Sequence, residues 1–175
     1  METRNVGSFD MYVRVADEIA PEIQVPKMVE LCNRFGIYMK AHNTDYLSDE
    51  SLKWYPRLGI HSANIAPEYG VAETKAFLSI LEENRYDELA NRFLKVAYDS
   101  GKWKKWMISN TKATDRDRSI IAGHYIFATK EFNEIKEEAK KRLLGKKIDL
   151  DESLKNQVKA SIFRYLKNFR LVRMP

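Results

Sequence analysis

Two short apolar runs, each followed at once by a polar cluster, form the most informative pattern in this sequence. Ile37–Met39 leads into the cluster His42–Tyr46, and Leu58–Ile60 leads into the cluster His61–Glu68. Short apolar runs bounded by turn signals are typical of buried strands, and the amphipathic segments around them favour a βαβ arrangement. Because the carboxyl ends of parallel strands meet at one edge of a sheet, we expect both polar clusters at that edge.

The other segments have the apolar spacing, caps and breakers of helices. Strands are predicted over Ile37–Ala41 and Leu58–His61, and Met11–Ala16 fits either a strand or the first turns of a helix. Helices are predicted from Pro26 to a left-handed cap at Gly36, from the Ser48 cap to Pro56, over Pro67–Glu83, over Tyr86–Tyr98, from the Thr114 cap through one long helix to Gly145, and from about Asp151 onward.

Composition narrows the protein class. The chain has 175 residues, of which 44% are hydrophobic and 31% charged, as in an ordinary globular protein. No apolar run approaches the roughly 18 residues of a membrane span, and no signal peptide is recognisable at the start. A single cysteine, Cys32, excludes an internal disulfide and fits a reducing compartment. We therefore predict a cytoplasmic protein without a membrane partner.

The net charge of +5 is unevenly distributed along the chain. The part up to Ile80 carries about −3 and the remainder about +8. Such asymmetry indicates either a surface for nucleic acid or the solvated faces of long Lys/Glu helices, and we favour the second interpretation. Lys102–Trp106 alternates cations with aromatic rings, as single-strand binders do, but Trp103 and Trp106 also have the spacing of one helical face. No nucleic-acid partner is predicted.

Two predicted strands cannot form an ordinary parallel sheet by themselves, because such a sheet needs several strands and cover on both faces. We therefore expect the chain to be part of something larger, or to complete its sheet with a second chain.

Three motifs resemble segments of the tagatose-bisphosphate aldolase accessory subunit family, whose members are often labelled tagatose 6-phosphate kinases. Lys40–Ser48 is similar to that family's EAHSTDYQT segment, Lys102–Trp106 to an aromatic Lys-Lys segment, and Thr114–Ile120 to a Ser-Asp-Arg-Ile-Arg segment. The resemblance implies an α/β fold, namely the C-terminal portion of a TIM (β/α)8 barrel over residues 1–84, followed by a helical C-terminal region over 85–175. It also implies a protein that begins well upstream of Met1.

The resemblance further implies an accessory, non-catalytic subunit in carbohydrate metabolism, associated with a class II D-tagatose-1,6-bisphosphate aldolase. Its partners would be a sugar or sugar phosphate and either the aldolase catalytic subunit or further copies of this chain. Two alternatives are a divalent-metal-dependent sugar epimerase, isomerase or aldolase, and a basic helical nucleic-acid-binding module. A kinase is not predicted, because no GxxxxGK[ST] motif or kinase signature is present. The segment Gly59–Glu68 departs from the family by its more polar strand end, which indicates a different sugar or reaction.

The candidate site residues come from the two polar clusters. The candidate acids and bases are His42, Asp45 and Glu68. The candidate substrate-binding residues are Asn43, Tyr46, His61, Ser62 and Asn64. Each has a structural alternative, since Asp45 can cap a turn and Glu68 suits the positive end of a helix. A divalent metal is compatible with these N and O donors, but the spacing matches no recognised metal motif.

Overall fold

The computed structural model describes residues 21–42, 44–108 and 110–172, and the segment Met11–Ala16 lies outside this part of the chain. The described residues are mostly helical. The helices are α1 (Pro21–Arg34), α2 (Asp49–Arg57), α3 (Pro67–Glu83), α4 (Asp87–Asp99), α5 (Asp115–Ala122), α6 (Lys130–Leu144) and α7 (Leu150–Asn168). The strands are β1 (Lys40–Ala41) and β2 (Ser62–Ala63), and short 3-10 helices cover Lys104–Trp106 and Gly123–Ile126. None of the described helices has the length and apolar content needed to span a lipid bilayer.

The described residues form two compact units. We call residues 21–68 and 162–172 the strand unit, and residues 69–161 the helical unit. The helices α3 and α7 each contribute residues to both units.

The strand unit contains one parallel strand pair. In β1 and β2, Lys40 pairs with Ser62 and Ala41 with Ala63. Beyond the strands, the Asn64 amide donates to the Ala41 carbonyl at 3.0 Å, and the Thr44 amide donates to the Asn64 carbonyl at 3.0 Å. The chain segments that follow the two strands therefore leave the pair side by side.

Helix α2 and the end of α7 supply the core of the strand unit. Ser48 caps α2 as its sequence predicts, because the Ser48 hydroxyl accepts the Ser51 amide. The fully buried apolar side chains include Leu47 and Leu52, and the Tyr55 ring lies 5.4 Å from the ring of Phe169. Aromatic contacts thus link residues more than a hundred positions apart in sequence.

Three phenylalanine rings form the centre of the helical unit. Phe77 of α3, Phe93 of α4 and Phe132 of α6 meet edge to face, with ring centroids 5.3 to 5.8 Å apart. Each such pair stabilises the fold by about 0.5–1.5 kcal/mol beyond the contribution from burying the rings. The same unit also buries leucine, isoleucine and alanine side chains: Leu78, Leu81, Leu89, Ala97, Ile121, Ile135, Ala139 and Leu143.

The prediction of a TIM-barrel portion is wrong. The described residues contain two strands of two residues each, while α4 packs on α5 and α6 and the rings of Phe93 and Phe132 join α4 to α6. Ile37 and Tyr38, which we expected inside a buried strand, precede β1 and are 56% and 82% exposed. A barrel strand would bury alternate side chains in the barrel interior. The second strand likewise begins at Ser62, after the predicted Leu58–His61.

The single long helix predicted from Thr114 to Gly145 is also wrong, although its start is confirmed. Thr114 and Asp117 form a reciprocal capping box at the first turn of α5. The helix then tightens into the 3-10 turn at Gly123, where a methyl group would collide with the Thr74 side chain. Thr129 starts α6 by accepting the Phe132 amide. The close contact with α3 therefore breaks a segment whose apolar spacing is continuous.

Three helices are followed by a basic residue in the left-handed backbone conformation. Arg85 follows α3 with φ of 62°, Lys147 follows α6 with φ of 60°, and Arg170 follows α7 with φ of 57°. Each ends its helix with the hydrogen-bond pattern usually completed by glycine: the Tyr86, Ile148 and Leu171 amides return to carbonyls five residues earlier.

Candidate functional site

The ends of β1 and β2 bring together an imidazole and an amide from the two polar clusters. The His42 Nε2 and Asn64 Nδ2 atoms are 3.4 Å apart, and His42 is exposed to solvent. The parallel register places these residues together, because each follows its strand at the same edge. The sequence prediction that the clusters meet is thus confirmed for this pair. Both side chains can donate and accept hydrogen bonds.

Asp45 is engaged in holding the backbone of the second cluster. Its carboxylate accepts the Ala66 amide at 3.0 Å and the Glu68 amide at 2.9 Å, and the residue is only 6% exposed. Burial raises the pKa of Asp45, and the two backbone hydrogen bonds oppose this rise. Asp45 therefore caps the amino end of α3, where Pro67 has no amide hydrogen and the Glu68 amide has no helical partner. This geometry matches the structural alternative given above for Asp45.

Glu68 is also bound on both carboxylate oxygens. One oxygen accepts the Tyr46 amide and the Tyr165 hydroxyl, and the other accepts the Arg164 guanidinium at 2.9 Å. A general base needs a lone pair that faces the substrate. The partners of Glu68 instead join the first cluster to the end of α7.

Arg164 and Tyr165 of α7 clamp the segments that carry the site. The Arg164 guanidinium also donates to the Asp49 carboxylate at 2.6 Å and to the Leu47 carbonyl, and the Tyr165 hydroxyl lies 3.2 Å from the Thr44 carbonyl. Burial and the Glu68 carboxylate raise the pKa of Tyr165, so the phenol stays protonated and donates. Burial lowers the pKa of Arg164, but the carboxylates of Glu68 and Asp49 outweigh it, so the pKa is raised.

The sequence pattern does not predict this clamp. The apolar spacing in the sequence predicts a buried face for the last helix on Leu154, Val158, Ile162, Leu166 and Phe169. Ile162 is in fact 37% exposed, while Tyr165 and Asn168 are buried. The available signal was the Arg-Tyr pair beside the apolar stripe, which offers a guanidinium and a phenol to a polar core. No neighbouring residue in the sequence indicates the acceptors of Arg164 and Tyr165, because these acceptors lie more than ninety residues upstream.

The other candidates lie at the rim of the site or beyond it. His61 is exposed, its Nδ1 accepts the Met39 amide at 3.2 Å, and its ring lies 4.8 Å from the ring of Tyr38. Ser62 is an exposed residue of β2. Tyr46 has a φ of 64°, so its amide turns toward Glu68. Asn43 lies outside the described residues.

The donor set at the strand ends suits hydrogen bonding better than proton transfer. Of the candidate acids and bases, Asp45 and Glu68 are held by amides, a phenol and a guanidinium, and His42 is exposed with its ring beside the Asn64 amide. Over the described residues, no group of three or more His, Cys, Asp or Glu side chains could hold a metal ion.

The basic aromatic segment lies in the helical unit, where its rings contact other side chains. The Trp103 ring stacks on Tyr98 at 5.3 Å and has the Arg118 guanidinium 5.0 Å from its centroid. The Trp106 indole donates to the Tyr125 hydroxyl at 3.2 Å, and Lys105 lies over both rings. The segment therefore supplies packing contacts within this unit.

Comparison with known proteins adds no identification. No protein-family model, no curated protein and no solved structure matches this chain.

Proposed function

We propose that this chain is an accessory, non-catalytic polypeptide of carbohydrate metabolism that binds a sugar or sugar phosphate at the ends of β1 and β2. The observation that carries this proposal is the approach of His42 Nε2 and Asn64 Nδ2 to 3.4 Å at the shared edge of the strand pair. An imidazole and an amide side by side offer donors and acceptors that match vicinal hydroxyl groups.

The engagement of the two carboxylates supports the non-catalytic part of the proposal. Aldol cleavage or epimerisation needs a base close to the reacting carbon. Here Asp45 caps α3 and Glu68 binds Arg164 and Tyr165, so both groups stabilise the edge on which His42 and Asn64 lie.

Isothermal titration calorimetry with a ketose phosphate tests the ligand. D-tagatose 6-phosphate and D-fructose 6-phosphate are the probes, and inorganic phosphate is the control for simple anion binding. We expect His42→Ala and Asn64→Ala each to weaken binding by about tenfold, since each removes one side chain that bonds the ligand. Asn91→Ala, an exposed asparagine of α4, is the matched control and should bind as the unmodified chain does.

Two results would contradict the proposal. One is the absence of binding at millimolar probe in a chain with a helical circular-dichroism spectrum. The other is an equal loss of affinity in the Asn91→Ala control.

The association with a class II aldolase, which the motif resemblance implies, is part of the same proposal and has a separate test. A pull-down with the aldolase catalytic subunit should retain the chain, and His42→Ala should leave the complex intact because His42 belongs to the ligand site. Loss of the complex on His42→Ala would contradict the assignment of this residue to a sugar pocket.

A further inference from the structure

A groove of about 550 Å³ lies in the helical unit where α6 ends and α7 begins. Its apolar wall comes from Leu144, Ile148 and Leu150. Leu150 is buried, whereas Leu144 is 76% exposed although it is a large aliphatic side chain. A partner that covered this side chain would remove its apolar surface from water, which favours binding.

The acidic groups beside the groove are already engaged within the unit. Asp151 binds Lys136 at 2.8 Å and Lys140 at 2.7 Å. Asp149 accepts the Glu152 amide at 3.0 Å and so caps the first turn of α7. The charge of Asp151 is therefore balanced by its two lysines, whereas Asp149 keeps its negative charge while it caps α7.

Two lysines at the groove keep their charges available. Lys141 and Lys147 are exposed, and neither forms an ion pair with any residue in the described part of the chain. Lys147 has a φ of 60° because it ends α6, as Arg85 ends α3 and Arg170 ends α7.

We propose that this groove binds a short acidic segment of a partner protein, with an aliphatic side chain against Leu144 and Ile148 and carboxylates on Lys141 and Lys147. The occupant must combine an apolar group with at least two negative charges, and a segment that alternates acidic and aliphatic residues supplies both. The concave shape favours an inserted side chain over a lipid surface, which would need a protruding apolar edge. This surface is distinct from the strand ends and does not depend on the proposed sugar site.

Fluorescence anisotropy with a labelled peptide tests the proposal. The probe is the eight-residue peptide Asp-Glu-Leu-Asp-Glu-Leu-Asp-Glu, and its counterpart has serine in place of both leucines. We expect the double variant Lys141→Glu with Lys147→Glu to weaken binding of the leucine peptide by at least about tenfold. We expect Leu144→Ser to weaken it severalfold although all charges remain. The serine peptide should bind severalfold more weakly than the leucine peptide.

The matched control is the double variant Lys75→Glu with Lys112→Glu, which makes the same charge change at exposed lysines elsewhere in the helical unit. All substituted residues are exposed, so circular dichroism should show unchanged helix content. Equal weakening by both double variants would overturn the proposal, because it would indicate attraction to net charge alone. Equal binding of the two peptides, no binding of either, or binding only to phosphatidylserine vesicles would also overturn it.

Discussion

Gly123 decides where the helical segment after Thr114 breaks. A methyl group at this position would overlap the Oγ1 and Cγ2 atoms of Thr74, which is buried. We expect Gly123→Ala to lower the free energy of unfolding by about 1–3 kcal/mol, because α3 and the 3-10 turn would have to separate. Urea denaturation measures this change.

Two further variants separate this overlap from a general effect of alanine. Gly145→Ala should change the free energy of unfolding by less than about 0.5 kcal/mol, since its methyl group meets only an ordinary contact at 3.5 Å. Combining Gly123→Ala with Thr74→Ala should recover part of the loss in a double-mutant cycle. Simple additivity of the two changes would show that the contact with Thr74 is not the cause.

His124 gives the helical unit a dependence on mildly acidic pH. Burial, and then the positive charge of Lys105, lower the pKa of His124 below its ordinary value of 6.5. As the pH falls below about 6.5, the unfolded chain takes up a proton that the folded protein does not bind. The free energy of unfolding should therefore fall until the lowered pKa is reached, by at most about 1.4 kcal/mol per pH unit.

Denaturation midpoints between pH 7 and 5 measure this slope. His124→Gln should remove the contribution of this residue, and Lys105→Gln should reduce it by removing one of its two causes. A slope that is the same in His124→Gln as in the unmodified chain would contradict the assignment to His124.

At the scale of single elements, the end of α7 stabilises the segments of the candidate site. Arg164 donates to the Asp49 and Glu68 carboxylates and to the Leu47 carbonyl. We expect Arg164→Lys to lower the free energy of unfolding of the strand unit by about 1–3 kcal/mol, because an ammonium cannot reproduce the planar fork of a guanidinium. Hydrogen exchange should show faster exchange of the Tyr46 and Glu68 amides.

Arg116→Lys is the matched control for Arg164→Lys. Arg116 forms an ion pair with Glu82 at the surface of the helical unit, and such pairs contribute about 0–1 kcal/mol. Unchanged exchange of the two amides in Arg164→Lys would contradict a stabilising role for the guanidinium fork.

The elements that the sequence predicted correctly are those whose signals are local. The helix Pro67–Glu83 and the caps at Ser48 and Thr114 follow from proline, serine and threonine chemistry within one turn, and the structure confirms all three. The break at Gly123 could not be predicted, because it depends on the contact with Thr74, about fifty residues away.

The candidate site was predictable to a similar extent. The meeting of His42 and Asn64 follows from the parallel pairing that short strands around a helix imply. A structural role for Glu68 was foreseen, but its contacts with Arg164 and Tyr165 were not predictable, because these residues lie almost a hundred positions away in sequence. The barrel prediction failed because the described residues are mostly helical and their two strands are only two residues long each.

For the whole molecule, exposed apolar side chains concentrate in the strand unit. Leu31 and Phe35 at the end of α1 are 54% and 72% exposed, and Ile37 and Tyr38 follow directly. A pair of two-residue strands offers little sheet to cover them. Such surfaces promote association. We therefore expect the purified chain to form oligomers whose mass depends on concentration, as light scattering would show.

Substitution of the end of α1 separates this association from general instability. Leu31→Lys with Phe35→Lys should shift the chain toward the monomer while the thermal midpoint changes little, because both side chains are exposed. The charge-matched control is Gln24→Lys with Asn33→Lys on the same helix, which should leave the oligomer unchanged. A monomeric unmodified chain would contradict the expectation.

The basic residues that follow three of the helices make the tolerance of this molecule to mutation uneven. Glycine at Arg85 or Arg170 should raise the thermal midpoint, because glycine adopts the left-handed conformation without the steric penalty borne by a larger side chain. Glycine at Lys147 should raise it as well, but would remove one of the two charges proposed to hold a partner. In a library selected for heat resistance alone, all three positions should drift to glycine. In one selected also for partner binding, Lys147 should be retained.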